Sequence, residues 1–81
     1  MQRSDVVEQL KHYIAETVLD GEIGLTETTP LLEWGVINSL EIVRLLNFIQ
    51  QQFHVEIPGD RVVADHFANL GVLSDLVMEL A

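Results

Sequence analysis

Eight consecutive residues, Gly35-Val36-Ile37-Asn38-Ser39-Leu40-Glu41-Ile42, fix where a helix must begin. With Asn38 as the N-cap, Glu41 falls at N3, from which a carboxylate can reach back to the cap's backbone N–H. Ile37 and Ile42 then occupy N′ and N4, the pair that forms a hydrophobic staple. Three local rules agree on one register. Ser39 becomes the first helical residue, its hydroxyl turned to solvent at the positive end of the helix dipole, where a phosphate is stabilised. The competing register makes Ser39 itself the cap and nothing more, because serine is a common cap.

Downstream of this start the apolar residues recur at helical spacing. Ile42, Leu45, Leu46, Ile49 and Phe53 share one face of a helix from Ser39 to about Phe53, with Glu41, Arg44, Asn47 and Gln51 opposite. Upstream, Ser4-Asp5 is expected to cap a first helix running to about Leu19, with Val7, Leu10, Ile14 and Val18 inward and Asp20-Gly21 ending it. Residues 22–37 hold glycines, a proline and threonines, and form a long loop. Its Ile23, Leu25, Leu31, Leu32, Trp34 and Val36 are too apolar for a solvated linker, so the loop is expected to pack across the helices. His54-Val55-Glu56-Ile57 has strand-like composition, but Pro58-Gly59 cuts it to an extended connector. Asp60 is expected to cap a short third helix to about His66. Asn69 caps a fourth, with Leu70, Leu73, Leu76, Val77 and Leu80 inward. The fold class is all-α, a small four-helix bundle in one domain, residues 1–81, with a long first crossover.

Charge and composition narrow the function. Thirteen acidic and four basic residues give a net charge of −9, a surface that phosphate backbones repel, so nucleic acid is not an expected partner. The chain has no cysteine, hence no disulfide and no thiolate ligand or nucleophile. His12, His54 and His66 have no ligand spacing, and no metal is expected. No apolar run is long enough for a membrane span and the N-terminus lacks a signal-peptide layout, so a soluble cytoplasmic protein is the expectation; a monomer is expected as well. Glu56 and Asp60 read as turn acids. A hydrolase built on Ser39 lacks a His–Asp relay, and a nucleic-acid binder would need more on its second helix than the lone Arg44.

Gly35-Val36-Ile37-Asn38-Ser39-Leu40 resembles the attachment motif of the acyl and peptidyl carrier protein family, whose usual form is glycine, two mostly apolar residues, aspartate, serine and leucine. The likeness extends through the helix order, through Phe53-His54-Val55-Glu56-Ile57-Pro58 and into Phe67-Ala68-Asn69-Leu70. It implies a non-enzymatic carrier. Ser39 would receive a 4′-phosphopantetheine arm from coenzyme A by the action of a phosphopantetheinyl transferase, and the arm's thiol would hold acyl or aminoacyl cargo. Asn38 and Leu40 flank the attachment point, and Phe67 matches a position that lines the arm in relatives, although a plain core role is the simpler reading for it and for Val62 and Val63. Further implied partners are a loading enzyme (an acyltransferase or adenylating ligase) and downstream synthase or tailoring enzymes.

The chain departs from the family at Asn38, where most relatives have aspartate, and at Arg44, Gln50 and Gln51, where fatty-acid-synthesis carriers usually have acids. Glu41 is the one acid left on the helix. Partner recognition is therefore expected to rely on apolar contact, with Leu40, Val43 and Phe48 as candidates beside Glu41, Arg44 and Asn47. Phe48 could instead pack under the loop, and Arg44 could simply pair with Glu41. Trp34 reads first as a pin holding the loop to the core, and second, from its nearness to Ser39, as a contact for an arm or partner. The pattern favours a discrete carrier in polyketide, nonribosomal-peptide or related natural-product assembly. A housekeeping fatty-acid carrier and an unmodified interaction adaptor are the alternatives.

Overall fold

A computed structural model describes residues 2–17 and 25–81. Four α-helices follow in order: α1 (Arg3–Thr17), α2 (Ser39–Phe53), α3 (Ala64–Phe67) and α4 (Leu70–Leu80), with a 3-10 turn at Gly59–Arg61. No strand occurs among the described residues. The all-α bundle of three long helices and a short third one is as the sequence predicts. The expected end of the first helix at Leu19 and Asp20-Gly21, and the inward roles of Val18 and Ile23, lie outside the described residues.

The core is one cluster in which Val6, Leu10 and Ile14 of α1 meet Leu45 and Ile49 of α2, Phe67 of α3, and Leu70, Leu73 and Val77 of α4. Leu25, Leu31 and Ile37 join it from the loop and Val55 from the connector, so both segments are stitched into the bundle. Two expectations about α1 need correction. The helix starts at Arg3, and the amides of Asp5 and Val6 donate to the Gln2 carbonyl, so the start lies before Ser4-Asp5 and Asp5 sits within the first turn. Val6, not Val7, is fully buried. Arg3 reaches across to Asp75 and to the Gly71 carbonyl of α4, and Val6, three residues on, shares that side and turns inward with it.

The expected third helix from Asp60 to His66 is instead two pieces. Arg61 and Val62 donate to the carbonyls of Pro58 and Gly59 in the 3-10 turn, and Val63 is extended before α3 begins. Two consecutive β-branched residues, stiff about χ1, stand where the helix would have had to continue. Asp60 lies inside the turn and caps nothing. Val62 packs against the core, whereas Val63 is exposed. Residues 55–58 form neither helix nor strand and Pro58 is extended, but His54 closes α2 in the left-handed conformation (φ 58°, ψ 35°), its N–H donating to the Gln50 carbonyl.

The loop is held by backbone bonds to the start of α4. The Leu31 N–H donates to the Ala68 carbonyl at 2.8 Å and the Gly71 N–H donates to the Glu27 carbonyl at 3.0 Å. A Cβ on Gly71 would lie 3.0 Å from Glu27 Cγ, so glycine lets the loop cross the helix this closely. Arg3 closes the crossing from the far side through ion pairs with Glu27 and Asp75.

Candidate functional site

The polypeptide enters the site through a turn built on Leu31. Its carbonyl accepts from the N–H groups of Val36 (2.8 Å) and Ile37 (3.2 Å), and Gly35, at φ 70°, supplies the left-handed step just before them. Ile37 is buried and Ile42 packs against the same core, as a hydrophobic staple requires. The chain therefore reaches Asn38 with its direction set.

Asn38 is the N-cap of α2. Its backbone is extended, its Oδ1 accepts the Glu41 N–H at 3.1 Å, and its carbonyl accepts the Ile42 N–H at 2.9 Å. The competing register, with Ser39 as cap, is thereby excluded. The return half of the expected capping box does not form: Glu41 Oε2 lies 3.8 Å from Arg44 Nη1 instead. Ser39 is the first residue of α2, exposed and with no hydrogen-bond partner for its hydroxyl among the described residues. The N–H groups of Ser39 and Leu40 are likewise unpartnered there, because the cap takes only the Glu41 amide. A phosphodiester on Ser39 Oγ would meet the positive end of the dipole, two open backbone donors and an uncharged neighbour at Asn38. The residues present fit such a group.

A family model described as "Phosphopantetheine attachment site" matches residues 8–80. The chain belongs to this carrier family. Its members are non-catalytic and carry 4′-phosphopantetheine, and they depend in general on a phosphopantetheinyl transferase and loading enzymes. The chain is 34% identical over 73 residues to the probable acyl carrier protein PigG of Serratia sp. (strain ATCC 39006), covering 89% of this chain and 84% of that protein. It also resembles a chain in a structure described as "Crystal structure of FAD-dependent dehydrogenase". The identity is 40% and the TM-score 0.79, over 85% of this chain and 99% of that one. Among the described residues, no helix is long and apolar enough to cross a membrane.

In this carrier fold the remaining predicted residues fall into two groups. Leu40, Val43, Arg44 and Asn47 are exposed along α2, and Glu41 is half-buried beside Arg44. Trp34 is 70% exposed, so it does not pin the loop; Leu31 and Ile37 do that. Phe48 is half-buried and packs against the core cluster, to which the loop also contributes. Its ring stacks on Tyr13 of α1 with centroids 4.2 Å apart and meets Phe53 edge-on at 6.1 Å. Phe67 is fully buried in the core and presents no surface on which an arm could lie. Tyr13 was the residue that sequence reasoning missed. It stands three positions after the inward Leu10, a spacing that could have placed it on the flank of the buried face. With Arg44, Asn47, Phe48 and Gln51 it lines a shallow cleft of about 250 Å³ between α1 and α2.

Proposed function

We propose that residues 1–81 act as a single, monomeric carrier domain in which Ser39 is the attachment point of 4′-phosphopantetheine. The observation that carries this reading is the cap on Asn38, which leaves the Ser39 hydroxyl and two backbone donors open at the helix start. When bound, the group supplies a thiol at the end of a long arm for acyl or aminoacyl cargo. The chain's own residues orient. Ile37 and Leu31 hold the entry, Asn38 holds the helix start, and the N–H groups of Ser39 and Leu40 face the phosphate position. Leu40 and Val43 remain uncovered for partner enzymes. Tethering raises the local concentration of cargo at whichever enzyme is docked. The same reading places the chain in the cytoplasm, where coenzyme A is available.

The pathway we infer is a dedicated natural-product assembly, polyketide, nonribosomal-peptide or related, rather than housekeeping fatty-acid synthesis. Neutral Gln50 and Gln51 and the Glu41–Arg44 pair support this, since they leave α2 without a net acidic face. The structural likeness adds a partner class. The similar chain is about 70 residues long, too short for the doubly wound domain that holds a flavin dinucleotide. We therefore read it as the companion of the dehydrogenase. A flavin-dependent dehydrogenase acting on tethered cargo is accordingly proposed among the downstream enzymes, after an adenylating ligase or acyltransferase has loaded the arm.

Incubation with coenzyme A and a broad-specificity phosphopantetheinyl transferase, read by intact mass, tests the central reading. The wild type should gain about a third of a kilodalton and Ser39→Ala should gain nothing. An unmodified wild type, or a modified Ser39→Ala, would overturn it.

A further inference from the structure

The side chain of Asn38 has one engaged end and one free end. Its Oδ1 accepts the Glu41 N–H at 3.1 Å, which leaves the NH2 of the same exposed side chain as a donor with no partner among the described residues. An aspartate capping in the same way would present a second carboxylate oxygen there, an acceptor carrying charge.

The rest of the helix start is equally short of anions. From Trp34 to Phe53 the only charged residues are Glu41 and Arg44. The Glu41 carboxylate does not turn back to the cap, and its Oε2 lies 3.8 Å from Arg44 Nη1, further along α2. The N–H groups of Ser39 and Leu40 and the NH2 of Asn38 are therefore uncommitted donors, with no anion among residues 38–40 to oppose them. A phosphodiester is anionic and accepts hydrogen bonds only. Donors match it, and a carboxylate on the adjacent residue repels it.

We propose that Asn38 is a positioning residue for the phosphodiester of the family's prosthetic group: its Oδ1 caps α2 while its NH2 donates to a phosphate oxygen, beside the N–H groups of Ser39 and Leu40. The proposal rests on Ser39 being the modified residue. Its consequence is a coupling between the cap and the modification. In the unmodified protein asparagine and aspartate are near-equal caps, with the helix dipole favouring aspartate. With a phosphodiester attached, an aspartate at 38 and the phosphate are two anions held on one helix end, whereas in the unfolded chain they can turn apart. The order of the two residues inverts. Modification stabilises the protein with asparagine and does not stabilise one with aspartate.

The test compares thermal midpoints of unmodified and fully modified protein, with modification verified by intact mass, for wild type, Asn38→Asp and Asn38→Ser. The serine variant keeps a capping oxygen and neutrality but lacks the NH2. Modification should raise the wild-type midpoint by about 2–5 °C, raise that of Asn38→Ser by less, and leave that of Asn38→Asp unchanged or lower. The shortfall of Asn38→Asp should shrink at about 500 mM sodium chloride. Isotope-labelled wild type supplies a local readout by magnetic resonance. One proton of the Asn38 NH2 pair should move downfield on modification, the mark of a charge-assisted hydrogen bond that a purely capping role does not produce. Equal stabilisation of all three proteins, a larger gain in Asn38→Asp, or an unmoved Asn38 NH2 overturns the positioning role and leaves the carrier reading standing. A wild type that gains no mass removes the carrier reading, and the positioning role with it.

Discussion

The Oδ1 atom of Asn38 accepts the Glu41 amide at 3.1 Å, so the cap of α2 belongs to the residue before the proposed attachment serine. This division of labour lets one residue hold the helix while its neighbour remains chemically free. It also separates the cap from the attachment point, because the two can be altered independently.

Asn38→Ala should destabilise the protein by about 1 kcal/mol, seen as a lower midpoint in urea with an unchanged slope. Asn38→Asp keeps an oxygen at the capping position and adds a negative charge near the helix N-terminus. Its midpoint should equal or slightly exceed that of the wild type. Equal loss in both variants would show that the side chain is not acting as a cap.

Gly35 and His54 adopt the same left-handed conformation, with φ of 70° and 58°, at opposite ends of the site helix. They should respond to substitution with opposite signs. No atom lies within 4 Å of a Cβ built on Gly35, so Gly35→Ala costs only backbone strain, about 1 kcal/mol. His54→Gly relieves the corresponding strain and should stabilise by about 0.5–1 kcal/mol. Thermal melts of the two variants beside wild type decide the matter, and a stabilising Gly35→Ala would contradict the assignment.

Ser74 in α4 is fully buried, and its hydroxyl has no hydrogen-bond partner among the described residues. A buried hydroxyl without a partner has lost water and gained nothing in return. Ser74→Ala removes that burden and improves helix propensity, so a gain of about 1 kcal/mol is expected in chemical denaturation. A loss of similar size would reveal a bond that Ser74 makes in solution.

What the sequence made legible follows from the range of each interaction. The start of α2 and the Asn69 cap of α4 depend on residues three positions away, and both stand where local rules put them. The long loop could be recognised as packed from its leucines, but not which residue would be left out; Leu31 and Ile37 are buried in the core and Trp34 is outside. The short third helix begins later than an Asp60 cap implies, at Ala64, because the β-branching of Val62 and Val63 favours extended backbone before it. The α1 register was missed for another reason. Its determinant is Arg3, whose partner Asp75 lies 72 positions away in sequence.

That long-range contact yields the last prediction. Arg3 donates from Nε to Asp75 at 2.5 Å and from Nη2 to the Gly71 carbonyl at 3.2 Å, and it pairs with Glu27. Hydrogen bonds to Glu27 and then Asp75 hold its guanidinium above the usual arginine range, so it remains charged wherever the protein is folded. Exposed pairs are screened by salt, but here three bonds converge on the point where the loop crosses α4. Arg3→Met keeps most of the aliphatic stem and deletes the bonds. It should speed hydrogen exchange at the Gly71 amide, which donates to the Glu27 carbonyl across that crossing, more than at amides in the middle of α2. The difference from wild type should shrink at high salt, since the wild-type pairs weaken there. Uniform acceleration across all helices would mean that Arg3 supports the bundle as a whole and not the crossing.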